Sequence, residues 1–146
     1  MSEASFDPSA HGWEIGESDG FIGLVGPFWT RRESGALRFG FLAEPRHANL
    51  LGIVQGGMIM TFADRGLGIM AWEATEGRPS ATISFETQFV GAGRIGSFIE
   101  LSGEVVRRTG GLVFIRGLVT SGPEALASCQ GAWRLLRERP AAAALA

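Results

Sequence analysis

The chain is poor in the residues that most often announce a site. It has one cysteine, Cys129, and two histidines, His11 and His47. That is too few to assemble a zinc site of ordinary type. A lone cysteine excludes an internal disulfide and fits a reducing cytoplasm. Basic residues give no excess: 13 Lys+Arg against 15 Asp+Glu leave a net charge of −2, which argues against nucleic acid as a partner. The longest uncharged stretch, Ala48 to Ala63, falls short of a bilayer span and carries Asn49 and Gln55. At the N-terminus, Met1-Ser2-Glu3-Ala4-Ser5-Phe6-Asp7 puts acids where a secretory signal needs basic and then apolar residues. Together these absences describe a soluble cytoplasmic protein that works without metal or membrane.

What the chain does have is glycine, 22 of its 146 residues, beside 45% hydrophobic residues. Disordered chains lack that apolar content, so the glycines point to tight turns and close contacts. The length fits one domain, residues 1–146, with 1–19 as a polar lead-in or short helix and 137–146 as a tail. Phe21 to Val25 reads as a strand that resumes at Phe28-Trp29-Thr30, and Glu33-Ser34-Gly35 as a turn into a second strand, Leu37 to Phe41. Pro45 to Gly57 reads as a loop, and Met58 to about Glu76 as the one long helix, stopped at Gly77. Everything after it alternates as strands. Ile83, Phe85, Thr87 and Phe89 share one face; Ile99, Leu101, Gly103 and Val105 share another; Ala127, Cys129, Gly131, Trp133 and Leu135 line the last. Short turns between late strands imply antiparallel neighbours. The expected fold class is α+β, an antiparallel sheet of five or six strands wrapped around one central helix. That helix is apolar over much of its circumference, as for a helix enclosed on most sides. Its small residues Gly66, Gly68 and Ala71 imply close approach by another element.

The stretch from Gln55 to Asp64 carries the most chemistry. Gly56 and Gly57 stand where the helix begins, and Asp64 lies eight residues beyond Gly56. At 1.5 Å per residue they are about 12 Å apart along the axis. N–H groups at a helix start can polarise an oxygen, but Asp64 of the same helix is then too distant to act on the same atom. The spacing suggests a site shared between two copies of the chain. Asp64 sits in an apolar neighbourhood, and Arg65, adjacent in sequence, does not face it. Glu73 falls off Asp64's face and reads as a surface or interface residue. Cys129 reads as a small buried thiol.

His47-Ala48-Asn49-Leu50-Leu51-Gly52-Ile53-Val54-Gln55-Gly56-Gly57, followed by Thr61-Phe62-Ala63-Asp64, resembles the hotdog-fold acyl-CoA thioesterases of the phenylacetate-pathway (PaaI-like) type. Their pattern there is His-x-Asn, a glycine, His-Gly-Gly, and an acid eight residues after the first paired glycine. The likeness runs from about Phe21, through Gly26-Pro27, to about Leu136. It implies a hotdog fold and hydrolysis of an acyl-CoA thioester without a cofactor, in a homodimer that commonly pairs into a tetramer. Asp64 then matches the catalytic carboxylate, acting as nucleophile or as base for a water. The Gly56 N–H matches the group that polarises the carbonyl, Asn49 the polar residue that helps hold the water or the acid, and Thr82 a hydroxyl near that water. Gln55, Gly57 and His47 fall among substrate-binding positions, although a loop-ordering hydrogen bond is the expected role of His47. Arg94, Arg107, Arg108 and Arg116 are candidates to meet the phosphates of coenzyme A, and the turn from Arg107 through Arg108 and Thr109 to Gly110 resembles the region where the family binds that group; solvated turn charges are the other reading. One residue departs from the pattern. Gln55 stands where the family has histidine, and glutamine can hydrogen-bond but cannot ionise. A non-catalytic acyl-CoA binding or sensing module is therefore a second expectation. A hydratase is a third, weakened by the absence of a close Asp–His pair. The acyl pocket, with Trp72, Phe85, Phe89 and the methionines as its candidates, fits an aromatic or an aliphatic group.

Overall fold

A computed structural model of the chain describes residues 5–137; Met1 to Ala4 and the tail from 138 to 146 lie outside the described residues. Seven strands form one antiparallel sheet in the order β1-β2-β3-β5-β6-β7-β4. They are β1 (Glu14–Ile15), β2 (Trp29–Glu33), β3 (Ala36–Leu42), β4 (Ser80–Phe89), β5 (Phe98–Arg108), β6 (Leu112–Ser121) and β7 (Glu124–Leu135). Two helices accompany them, α1 (Gly20–Val25) and the long α2 (Gly56–Glu73). The strand count exceeds the expected five or six because the lead-in contributes the two-residue β1. One sheet curled around one helix is the α+β hotdog arrangement.

Turn chemistry sets the hairpins. Ser34 and Gly35 both take positive φ, 51° and 81°, the geometry of a tight hairpin whose twist matches its strands. Gly77 at φ 81° ends the chain's exit from α2. The core lies between α2 and the sheet: Phe62 packs edge-on against Phe28 and Phe41 with ring centroids 5.2 and 4.7 Å apart, and Leu67 lies against Gly103 and Gly117 of β5 and β6.

Three expectations need correction. Phe21 to Val25 is not a strand but the helix α1. Five apolar residues are too few to reveal a period, and this helix depends on distant partners: the Arg46 guanidinium donates to the carbonyls of Leu24 and Gly26, and His47 bonds that of Val25. The loop before α2 contains a 3-10 turn, Pro45–His47, and α2 starts at Gly56 and ends at Glu73. Finally, α2 is covered on one face only. Met58, Ile59, Phe62, Ala63, Gly66, Leu67, Met70 and Ala71 are buried, whereas Gly57, Arg65, Trp72 and Glu73 are exposed. The small residues serve this chain's own sheet. A Cβ on Gly66 would stand 2.4 Å from Leu101 Cδ2, and one on Gly68 would stand 3.2 Å from the Trp133 Nε1.

The N-terminal segment closes one half of the sheet's outer surface. Phe6 and Trp13 pack on Phe98 with centroids 4.8 and 5.0 Å away, and the Phe98 ring occupies the space a side chain on Gly40 would need. Arg31 lies over the Trp13 ring at 4.6 Å and, with Arg38, alternates with Glu33 and Glu100 at 2.9 to 3.8 Å.

Candidate active site

The segment leading into α2 is tied down residue by residue. The Asn49 side-chain oxygen accepts the N–H groups of Leu51 at 2.8 Å and Ile53 at 3.3 Å, and Gly52 takes φ 77° to complete the turn. Ala48 bridges Val54, and Ile53 bridges Arg94. Gln55 then donates its N–H to the His47 carbonyl at 2.8 Å and accepts from Met58 and Ile59. Its side chain makes no capping hydrogen bond. The first two N–H groups of α2, on Gly56 and Gly57, donate to none of the described residues. Over Gly56 lies the ring of Phe89: a Cβ there would meet Phe89 Cζ at 3.2 Å. Glycine is what leaves room between that ring and the helix start for another atom.

His47 is buried, 5% exposed. Its Nδ1 accepts the Glu44 N–H at 2.9 Å, and its Nε2 faces the Val25 carbonyl at 2.7 Å. Both ring nitrogens are thus committed to the backbone with Nε2 protonated, the loop-ordering role expected from sequence. Beside it, Phe21, Val25, Leu50, Leu51, Met58 and Thr61 line an open cleft of about 940 Å³ between α1 and the start of α2. Leu50 and Leu51 stand exposed on its rim.

Asp64 lies half-buried on the ridge of α2, and the Thr82 hydroxyl donates to its Oδ1 at 2.6 Å. This contact exists because of a bulge. Phe85, Thr87 and Phe89 pair with Gly131, Cys129 and Ala127, but the register shifts between Thr82 and Ser84, so that Thr82 rather than Ile83 pairs with Trp133. Simple alternation puts Thr82 on the face away from Phe85. The extra residue, Ile83, turns it toward the helix, and Ile83 is left 56% exposed. The same strand holds both chemical ends of α2, with Thr82 at Asp64 and Phe89 at Gly56.

Sequence reasoning passed over Trp133. It is 2% exposed, its ring packs edge-on to Phe85 at 6.2 Å, and its Nε1 points at Gly68, one turn beyond Asp64. It read as a core residue, and only the cross-strand pairing with Thr82 marks it as a neighbour of the acid.

Other expected site residues stand apart. Arg94 is exposed at the entry to α2, whereas Arg108 donates to the Ala74 carbonyl at 2.6 Å and pairs with Glu76 beyond its other end. An 18-residue helix separates them, about 27 Å of rise. Thr109 holds the β5–β6 hairpin, its Oγ1 accepting from Leu112 at 3.0 Å, next to exposed Gly110. Glu73 pairs with Arg32. Cys129 is buried, and burial pushes its thiol pKa up. Among the described residues, no helix is long and apolar enough to cross a membrane.

Comparison with known proteins identifies the fold and the family. A Pseudomonas aeruginosa protein provisionally named an esterase is 29% identical over 120 residues, 81% of this chain and 90% of that one. Among solved structures, zebra fish thioesterase superfamily member 2 matches with a TM-score of 0.74 at 20% identity, covering 82% of this chain and 89% of that one. A mutant of the phenylacetic acid degradation protein PaaI from Thermus thermophilus matches at 0.71 and 20% identity, covering 81% and 100%. A Bacillus halodurans protein solved with CoA matches at 0.70 and 24%, covering 75% and 74%. These structures share the fold. The model of the thioesterase superfamily matches residues 51–128, which hold the Gly56–Asp64 segment and the Thr82 strand, and the chain belongs to that superfamily.

Proposed function

We propose that the chain is an acyl-CoA thioester hydrolase of PaaI-like type whose site is completed by a second copy of itself. The observation that carries this is the free edge of β4. The strand pairs with β7 on one side only, runs ten residues, and leaves Ile83 and Phe89 exposed along it, with exposed Val90 just beyond its end. Such an edge invites another strand. A two-fold axis near Phe85 and Glu86 pairs β4 with its copy antiparallel and sets Thr82 opposite Phe89 of the second chain. That pairing carries Asp64 of one chain toward Gly56 of the other, an approach no single α2 permits. It also carries Arg108 toward Arg94 of the second copy, so that two of the cations expected to meet coenzyme A approach each other.

At such a site the thioester oxygen accepts from the free Gly56 N–H, where the helix dipole stabilises the charge that grows on attack. Asp64, oriented by Thr82, takes a proton from water as the water oxygen bonds the carbonyl carbon; the C–S bond breaks and the proton passes from Asp64 to the leaving sulfur. In the alternative, Asp64 itself bonds the carbonyl carbon, and the C–S bond breaks to leave an Asp64–acyl anhydride and a thiolate. Water then adds to the anhydride, whose C–O bond breaks to free the acid and Asp64 while the water's proton goes to the thiolate. Neighbouring folds bound to CoA support this ligand class. In this reading the protein works in the cytoplasm as a dimer or a pair of dimers.

The test is a hydrolysis assay over short, medium, long and aryl acyl-CoAs combined with subunit mixing. Asp64→Asn lowers kcat by at least about a thousandfold. Gly56→Pro removes one N–H at a position where the preceding Gln55 is already extended (φ −58°, ψ 133°), and it is also inactive. Exchanged one to one, the two dead variants recover about a quarter of wild-type activity, since half the dimers then hold one intact site. Recovery of nothing, or a fully active monomer, sinks the shared site. The free Gln55 side chain favours a binding module as the second reading. Tight acyl-CoA binding with no turnover, restored by Gln55→His, would establish it.

A further inference from the structure

Trp133 presents a donor that the fold leaves unused. Trp133 is 2% exposed and its indole N–H donates to none of the described residues, but it is not among the fully buried unpartnered atoms, Arg38 Nε and Ser80 Oγ, so this N–H is open to water. Its position is specific. Nε1 stands 3.2 Å from where a Cβ on Gly68 would be, and residues four apart on a helix hold their Cβ atoms about 5–6 Å from one another. Asp64 is the residue four before Gly68. Thr82, which bonds Asp64, is the cross-strand partner of Trp133. The indole N–H and the carboxylate therefore lie about one helical turn apart along α2, both beside Thr82, with glycine in place of a side chain that would stand between them.

We infer that Trp133 is a positioning residue that holds the hydrolytic water: the water accepts from its Nε1–H and donates to Asp64, and Gly68 keeps the space between them open. This rests on the proposed thioesterase reading and chooses between its two mechanisms. A water so held keeps one hydrogen-bonding lone pair toward the thioester carbon, and Asp64 acts as the base that takes its proton. The bond formed is water oxygen to carbonyl carbon, the bond broken is carbon to sulfur, and the sulfur leaves as the thiol after receiving the proton from Asp64.

Two variants and two readouts test it. Trp133→Phe keeps the ring and removes the donor. Gly68→Ala puts a methyl in the interval, where the indole need give only a few tenths of an ångström. Each lowers kcat about tenfold, the scale of one neutral hydrogen bond, with KM unchanged; Gly68→Ala does so without lowering the melting temperature. Independently of turnover, the Trp133 indole N–H resonance, identified by its loss in Trp133→Phe, shows a cross-peak to water in the wild type that disappears in Gly68→Ala. A wild type without that cross-peak, or variants with wild-type kcat, would overturn the assignment. A wild type that hydrolyses no acyl-CoA yet shows the cross-peak instead refutes the thioesterase reading while leaving the water in place.

Discussion

The two edges of the sheet are finished in opposite ways. At β1 the ladder stops after two residues, and the Arg31–Glu33–Arg38–Glu100 charges and the Trp13–Phe98 packing lie over the strands behind it. At β4 ten residues of backbone run to an uncovered edge, with Ile83 and Phe89 more than half exposed. A short edge dressed in charge resists further pairing, whereas a long apolar one favours it. Thr82 and Phe89, which touch Asp64 and the space over Gly56, both lie on the second edge. That contrast between a closed edge and an open one is what the proposed pairing of two copies rests on.

The largest way to break that contrast is to charge the open edge. Ile83→Arg with Phe89→Arg yields monomers and lowers kcat/KM by at least about a hundredfold, while Ile15→Arg at the closed edge changes neither; sedimentation and the acyl-CoA assay read both. Within the open edge, Thr82→Val keeps the shape and loses the hydroxyl. It lowers kcat about tenfold and leaves the mass unchanged, and an equal loss in the Asp64→Asn background would show that the two do not act together. A smaller effect sharpens the roles of two helix glycines. Gly66→Ala drives a methyl into Leu101 and Phe39, so chemical unfolding gives a stability loss of about 1–2 kcal/mol, overpacking outweighing the helix-propensity gain. Gly68→Ala leaves stability level or slightly raised.

The sequence showed α2 and the strands after it clearly, because long apolar runs with strict periods and glycine turns leave few alternatives. Asp64 and, near its water, the hydroxyl of Thr82 were named there through a family pattern, but their direct contact and its cause were invisible. Thr82 to Phe89 alternates without interruption, and a bulge at Ile83 leaves no mark on such a string. α1 was misread since what stabilises it comes from Arg46 and His47, some twenty residues away. Gly66 and Gly68 were linked to close approach by another element, and that element is this chain's own sheet. Which residues touch across strands is a property of register, and register is a global quantity.

One connection runs further than its parts. The Val25 carbonyl is bonded to the His47 ring, the His47 carbonyl takes the Gln55 N–H, and Gln55 is bonded covalently to Gly56. Between the wall of the α1 cleft and the N–H proposed to bind the thioester there is thus one side chain and one peptide, with no slack in either. A change in the cleft wall at Val25 is therefore only two hydrogen bonds removed from the first peptide of α2.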